Sequence, residues 1–290
     1  MAYDKFTLTI FWTILLLQLI AIYVNASLII MIIRTIKLEY TKTYYPLLFI
    51  MMLLNIFFVI LSTSVIVGIA ILPDGYTFVG FCLMLGPSYP TFIAILDFIL
   101  CAHRVSVMFC ESEFWNEKIR WYGPLIFLVL TPFVLLLTAS SGIFSVSYFT
   151  ESAEDNVDLF VSIFGYYGEL FIKLTIGVLP FFGYLSILLK MRSHKRRLNQ
   201  SVDYTVIKQA FPIACFQLIT GILSLALHIA FYGTDNAFLI SLVIKHVFGQ
   251  PLCIVVPISI LLGNSTRREK MPLLFVCRCG VANNVQDSLT

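Results

Sequence analysis

The chain has 290 residues, of which 59% are hydrophobic and 12% are charged, and its formal net charge is +3. Soluble domains carry about 25% charged residues, so this composition excludes an ordinary water-soluble domain and indicates a protein whose apolar surface faces lipid. The lipid bilayer is therefore the first expected partner, and the small net charge gives no reason to expect a nucleic-acid partner.

Seven apolar segments are each long enough to cross a bilayer, which takes about 20 helical residues. We predict helices near 7–33, 44–72, 79–109, 121–148, 160–190, 207–232 and 237–262, followed by a tail over 263–290. Because the connections are short, neighbouring helices should run antiparallel within one domain over 1–262. The sequence therefore predicts an all-α membrane protein with a seven-transmembrane helix bundle.

The Lys and Arg residues indicate how this bundle is oriented. Sixteen of the 19 fall in alternate connections and in the tail, whereas the loops near 73–78, 149–159 and 233–236 have none. Cytoplasmic loops carry an excess of Lys and Arg. We therefore expect an extracellular N-terminus, a cytosolic C-terminus and a multi-pass protein of the plasma membrane.

Polar residues and prolines interrupt several of the apolar segments. Asn25 and Asn55 lie in the first two helices, and an amide in lipid needs a hydrogen-bond partner, so both should face the bundle. They either bond helix to helix as structural residues or form a network that shifts on activation. Pro180 and Pro257 are candidate hinges, because proline frees a backbone carbonyl, although proline is also common in membrane helices.

The third segment carries Asp97 within its apolar part and His103-Arg104 at its end. A charge at membrane depth costs several kcal/mol and normally faces the bundle interior or the boundary. Asp97 and Arg104 are seven residues apart, so they lie on roughly one helix face, about 10 Å from each other.

Further charged residues lie in the predicted outer halves of the later helices. Glu169 and Lys173 are four residues apart, the favourable spacing for a helical ion pair. Lys245 and His228 lie in the seventh and sixth helices. Two compatible readings are open: an internal ion pair with snorkelling side chains, and an outward-opening ligand cavity that these residues line together with Tyr89.

A basic cluster over 190–197 includes Lys195, Arg196 and Arg197. It suits anionic lipid or an acidic partner. In the tail, Cys277 and Cys279 are candidate palmitoylation sites. The chain has no HExxH, GxSxG, P-loop or GxGxxG motif and no Cys/His spacing typical of zinc, so we expect no enzyme activity, cofactor or metal.

Seven helices, an outer N-terminus, short loops and a basic third inner loop resemble a G-protein-coupled receptor. Asn25 stands where that family has its first-helix asparagine, and Asn55 lies near the second-helix aspartate position without being an aspartate. His103-Arg104-Val105 resembles a degraded Asp-Arg-Tyr in which only the arginine is kept.

Pro257 resembles the proline of the family's Asn-Pro-x-x-Tyr motif, and Pro180 resembles its fifth-helix proline. The sixth helix lacks the Trp-x-Pro switch, and the loop over 150–159 has no cysteine for the outer disulfide. Gln250 stands where a retinal-binding opsin would have its lysine.

Among these receptors, the chain is similar to the nematode serpentine chemoreceptors, which share its length, short ends, Phe- and Ile-rich helices and eroded motifs. The resemblance implies a receptor that detects a small environmental molecule, for example at a sensory cilium, and signals to a heterotrimeric G protein. It also implies that Asp97, His103, Arg104 and the basic cluster at 195–197 act in G-protein coupling.

Two other functions stay open. A seven-helix transporter or ion channel would use the charges Asp97, Glu169, Lys173 and Lys245 as a relay. The absence of a visible inverted repeat and the position of Arg104 speak against it. A membrane-embedded partner subunit without a ligand is the third reading.

We expect an epitope tag at the N-terminus to be stained on intact cells and a C-terminal tag to be stained only after permeabilisation. The reason is the one-sided distribution of Lys and Arg, because positively charged connections are retained in the cytosol. A C-terminal tag that is stained on intact cells would contradict the predicted orientation.

Overall fold

The structure is a computed structural model that describes residues 5–39, 44–71, 88–110, 113–149, 156–198, 205–231 and 237–263, with some side chains in these ranges left undescribed. This part of the chain forms seven helices and no strand. They are α1 (Lys5–Glu39), α2 (Tyr45–Ile71), α3 (Ser88–Cys110), α4 (Glu113–Phe149), α5 (Asn156–Leu198), α6 (Thr205–Phe231) and α7 (Ala237–Leu262).

Six of these helices are long and apolar enough to cross a membrane. The spans are Leu15–Arg34, Tyr45–Ser64, Ser88–Phe109, Lys118–Leu136, Leu174–Ser193 and Ile207–Ala226. The described part of α7 adds a shorter apolar stretch, Gly249–Leu261. The chain is therefore a multi-pass helical membrane protein, while the seventh crossing and the outward N-terminus stay predictions.

Three helices, α1, α4 and α5, extend well beyond the apolar segments that predicted them. The basic cluster was expected in the connection after the fifth helix, but α5 continues through it to Leu198. That expectation was wrong because Lys and Arg are good helix formers, so a charged stretch leaving the membrane need not end the helix. Pro90 lies in the first turn of α3, where proline is tolerated without a kink.

Helix α3 lies at the centre of the bundle and packs against α2, α4, α5, α6 and α7. Almost every side chain from Ser88 to Cys101 is buried, as expected for a helix that is hydrophobic all round. The outer helices instead bury one face. In α4, for example, Trp121 is 77% exposed and Leu128 is 68% exposed, which suits a surface covered by lipid.

Contacts between helices show that successive helices alternate in direction. Asn25 lies opposite Asn55 and Gln18 opposite Ser62, so α1 and α2 are antiparallel. Helix α3 runs parallel to α5, because Asp97 meets Tyr184 and the Met108 carbonyl meets Lys190. Helix α6 is antiparallel to α5, with Gln217 beside Gly177 and Leu174 beside Gly221.

This alternation gathers the described Lys and Arg side chains at one end of the bundle, which we call the basic end. They are Arg34, Arg104, Lys118, Arg120, Lys190, Arg192 and Lys208. The predicted clustering of positive charge on one side is therefore present in the fold.

Gly183 allows α5 to approach α3 closely, because a Cβ at this position would collide with the Sγ of Cys101. Gly183→Ala should lower the free energy of unfolding by about 1–3 kcal/mol through overpacking. The measurement is unfolding of the purified protein in mild detergent by a denaturing detergent, and Cys101→Ala in the same chain should restore part of the loss.

Gly177→Ala is the matched control on the same helix. Its new Cβ would have the Gln217 carbonyl oxygen as nearest neighbour, at 3.7 Å, which is ordinary van der Waals contact. This variant should match the wild type or be slightly more stable, since alanine favours a helix. Equal stability of the two variants would contradict the close α3–α5 contact.

Candidate functional site

Hydrogen bonds in the bundle interior join four helices at one level. The Asn55 side chain donates to Asn25 Oδ1 at 2.5 Å and to the Cys253 carbonyl at 3.1 Å. Asn25 donates to the Ala21 carbonyl at 2.8 Å and to the Cys253 carbonyl at 3.2 Å. The Tyr89 hydroxyl donates to Asn55 Oδ1. We call Asn25, Asn55, Tyr89 and the Cys253 carbonyl the amide cluster.

Pro257 explains why the Cys253 carbonyl is available to this cluster. A proline has no N–H, so the carbonyl four residues earlier loses its helical donor, and for Pro257 that carbonyl belongs to Cys253. In lipid, a freed carbonyl must be satisfied by a neighbouring helix. Asn25 and Asn55 supply the two donors, so three residues singled out in the sequence act at one point.

A second polar layer lies seven residues before Asn25 in α1 and seven residues after Asn55 in α2. Gln18 donates to Ser62 Oγ at 2.6 Å and also bonds to Gln250 Oε1, and Gln250 donates to Ser62 Oγ at 2.5 Å. Sequence reasoning missed Gln18 and Ser62. Their seven-residue spacing from Asn25 and Asn55 places each pair on one helix face and was the available signal.

Asp97 lies at the contact between α3 and α5 and is fully buried. The Tyr184 hydroxyl donates to Asp97 Oδ1 at 3.1 Å and lies 3.4 Å from its backbone carbonyl. Asp97 Oδ2 has no hydrogen-bond partner within the described part of the chain. One turn along α3, Cys101 Sγ donates to the Pro180 carbonyl at 3.5 Å, so Pro180 also belongs to this contact.

Two cations at the basic end pack on aromatic rings. The Arg104 guanidinium lies 4.8 Å from the centroid of the Tyr44 ring, which joins α3 to the residue preceding α2. Lys190 donates to the Met108 carbonyl, and its Nζ lies 4.3 Å from the Phe109 ring centroid. Such pairs contribute about 0.5–2 kcal/mol, depending on burial. The basic ends of α2, α3 and α5 are therefore joined.

Of the sequence-predicted ligand residues, the structure describes the side chain of Tyr89 and leaves those of the other four undescribed. Tyr89 is buried, its ring stacks on Phe58 at 4.3 Å, and its hydroxyl belongs to the amide cluster. The helices place the backbones of the remaining candidates, but their side chains lie outside the described residues: Glu169, Lys173, His228 and Lys245. The proposed ion pair and ligand cavity therefore stay predictions.

Among the residues expected to act in G-protein coupling, some side chains are likewise described and others are not. Arg104 is half-buried at the basic end, and His103 is buried beside it. The side chains of Lys195, Arg196 and Arg197 lie outside the described residues, although their backbones continue α5. Within the described part, no three His, Cys, Asp or Glu residues gather as a metal site would require.

Replacing Asn55 with leucine should lower the free energy of unfolding by about 1–3 kcal/mol, because it removes one donor from the Cys253 carbonyl and the acceptor of Tyr89. Ser64→Ala is the control on the same helix, since among the described residues its hydroxyl bonds a carbonyl of its own helix, that of Ile60. A detergent unfolding titration measures both variants. Asn55→Leu with the stability of Ser64→Ala would contradict the role of the cluster.

Comparison with known proteins supplies no family assignment for this chain. No family model matches it, and neither a curated protein nor a solved structure matches it. The receptor likeness therefore rests on the motifs quoted above, and the function is inferred from the positions of the chain's own residues.

Proposed function

We propose that this protein is a chemosensory receptor of the G-protein-coupled type. It detects a small molecule from outside the cell and signals to a heterotrimeric G protein at the basic end of the bundle. The plasma membrane, including that of a sensory cilium, is the proposed location.

The observation that carries this proposal is the position of Arg104. It lies at the basic end of α3, the helix that packs against five others, and it is held by the Tyr44 ring rather than buried in the interior. A cation at this point is displaced by any movement of the central helix. It is also exposed enough, as a half-buried residue, to meet an acidic partner segment.

The contacts around α3 suggest how a signal crosses the bundle. Asp97 joins α3 to α5 through Tyr184, and Lys190 joins the same helices through the Met108 carbonyl. A ligand that binds one arrangement of α3 and α5 more tightly shifts the population toward that arrangement. A shift of α5 along α3 breaks the Lys190 bond and changes what surrounds Arg104 at the basic end.

A transporter or channel is the second candidate, and one observation favours it. Asp97 is fully buried, and one carboxylate oxygen lacks a hydrogen-bond partner among the described residues. Ionisable residues inside membrane bundles often mark ion or proton pathways. The two candidates differ in what reaches the other side of the membrane, a signal or an ion.

The discriminating experiment expresses the chain in a reporter cell and applies a panel of small volatile and water-soluble molecules. Second-messenger level and transmembrane current are recorded together, with and without blockade of G proteins. The receptor proposal expects a second-messenger response that blockade abolishes. A current that survives the blockade would favour the transporter or channel.

Arg104→Ala should reduce the G-protein response at least tenfold and leave the surface level within about twofold of the wild type. A charge at the membrane boundary is cheap to solvate, so its removal should not unfold the bundle. Second-messenger output, normalised to surface staining, is the measurement.

Arg34→Ala is the matched control, because it removes the same charge at the same end from α1, which packs only at the edge of the bundle against α2 and α7. It should signal like the wild type. Equal signalling by Arg104→Ala and the wild type would remove the main residue-level support for the receptor proposal.

A further inference from the structure

Two of the buried polar side chains without a hydrogen-bond partner among the described residues lie on the neighbouring helices α3 and α6. They are Asp97 Oδ2 on α3 and both polar atoms of the Gln217 side chain on α6. Asp97 is fully buried and Gln217 is 7% exposed. Leaving a buried polar group unsatisfied costs its full desolvation free energy, and more for a charged group, so each group requires a partner.

The helix register places the two groups at the same level. Cys101 of α3 and Ala214 of α6 lie in one apolar cluster together with Tyr184. Helices α3 and α6 run in opposite directions. Moving about one turn away from the basic end therefore leads from Cys101 to Asp97 on α3 and from Ala214 to Gln217 on α6. Helix α5 borders this level, with Gly177 beside the Gln217 backbone.

The Gln217 amide can bond Asp97 in either protonation state, because it has both N–H donors and an acceptor oxygen, but only a neutral Asp97 can donate to Gln217 Oε1. Tyr184 already donates to Asp97 Oδ1. An ionised carboxylate would offer Oδ2 as an acceptor alone, whereas a carboxylic acid carries one O–H donor. The Gln217 Oε1 is an acceptor without a described donor, so it suits that O–H group.

We propose that Asp97 and Gln217 form a proton-binding site. Asp97 takes up one proton from the solvent on Oδ2 and donates it in a hydrogen bond to Gln217 Oε1, directly or through one water molecule. The proton-bound site joins α3 to α5 through Tyr184 and to α6 through Gln217. It does not depend on the receptor function proposed above.

The titratable groups around Asp97 agree with neutralisation by a proton rather than by a cation. Tyr184 of α5 donates to it, Cys101 lies one turn further along α3, and Cys215 of α6 follows Ala214, which packs in the same apolar cluster as Cys101. The other described titratable groups on α3 and on the helices packed against it are Tyr89, His103 and Arg104 on α3; Lys118, Arg120 and Tyr122 on α4; Lys190 and Arg192 on α5; Lys208 on α6; Cys253 on α7; and Tyr44 and Tyr45 at the start of α2.

The cations among these groups all lie at the basic end, at least two helix turns from the level of Asp97 along their own helices. His103 is six residues from Asp97 on α3, or about 9 Å along the axis. Among the described residues, no Lys or Arg therefore lies at the level of the carboxyl group, and an unpaired charge buried there is strongly disfavoured.

The test is infrared spectroscopy of the full chain in lipid nanodiscs, with aspartate isotopically labelled at the side-chain carboxyl carbon. The wild type should show a protonated aspartate carbonyl band at neutral pH, and Asp97→Asn should lose it. Asparagine keeps one acceptor and one donor at this position, so the variant should still fold. Gln217→Leu should shift the band, because its hydrogen-bond acceptor is removed.

Gln209→Leu is the matched control, a buried glutamine on the same helix two turns nearer the basic end, and it should leave the band unchanged. Absence of the band in the wild type, or its persistence in Asp97→Asn, would overturn the proton site. A band that Gln217→Leu does not move would overturn the pairing of Asp97 with Gln217. If Asp97→Asn fails to fold, the two glutamine variants still decide that pairing.

Discussion

The bundle depends on one backbone carbonyl that its own helix leaves without a donor. Pro257 removes the N–H group that would bond to Cys253, and a membrane interior offers no water to replace it. Asn25 of α1 and Asn55 of α2 both donate to this oxygen, so the break in α7 fixes the relative heights of three helices. Tyr89 extends the same set of bonds to α3.

These bonds act on register more than on total stability. Interhelical hydrogen bonds in membrane proteins average about 0.6 kcal/mol and reach about 1.7 kcal/mol, because polar groups in the membrane-embedded unfolded state also find partners. Apolar packing around α3 supplies much of the cohesion, with Leu96 and Leu100 wholly buried. A polar group one turn out of place would lose its partner, so the amide cluster selects one alignment among those that packing would tolerate.

Helix α3 connects this fixed region to the rest of the bundle. Tyr89, in the half of α3 away from the basic end, bonds to the amide cluster, Asp97 bonds to α5, and Arg104 contacts the Tyr44 ring at the basic end. A displacement of α5 or α6 therefore acts on a helix that the amide cluster fixes at Tyr89. The end of α3 that carries Arg104 can move in response. Such a division suits a protein that transmits a change across the membrane.

Much of the fold could be predicted from the sequence, because long apolar runs and one-sided positive charge are local signals. The rule that amides in lipid face the bundle predicted that Asn25 and Asn55 lie in the interior, and in the structure both are buried and bonded to each other. The ends of α1 and α5 were missed, because helices continue into water when their residues favour helix. Predicting these helix ends would have required the helix propensity of the residues as well as their hydropathy.

The partners of the interior polar groups were not predicted. Tyr184 as donor to Asp97, and Gln250 as partner of Gln18, depend on which helices are neighbours and at what height. A single sequence gives the periodicity of each helix but not its rotation against the others. The bond of Tyr89 to Asn55 was not predicted for the same reason, since a tyrosine near a predicted helix end could equally face a cavity or another helix.

The most direct test of this account is a double-mutant cycle between Asn55→Leu and Pro257→Ala, measured as the free energy of unfolding in detergent. Alanine at 257 restores the N–H group that bonds the Cys253 carbonyl, so Asn55→Leu should then cost about 0.5–1.5 kcal/mol less than it costs in the wild type. Costs that add to within about 0.5 kcal/mol would contradict the claim that Pro257 and the asparagines act on one oxygen.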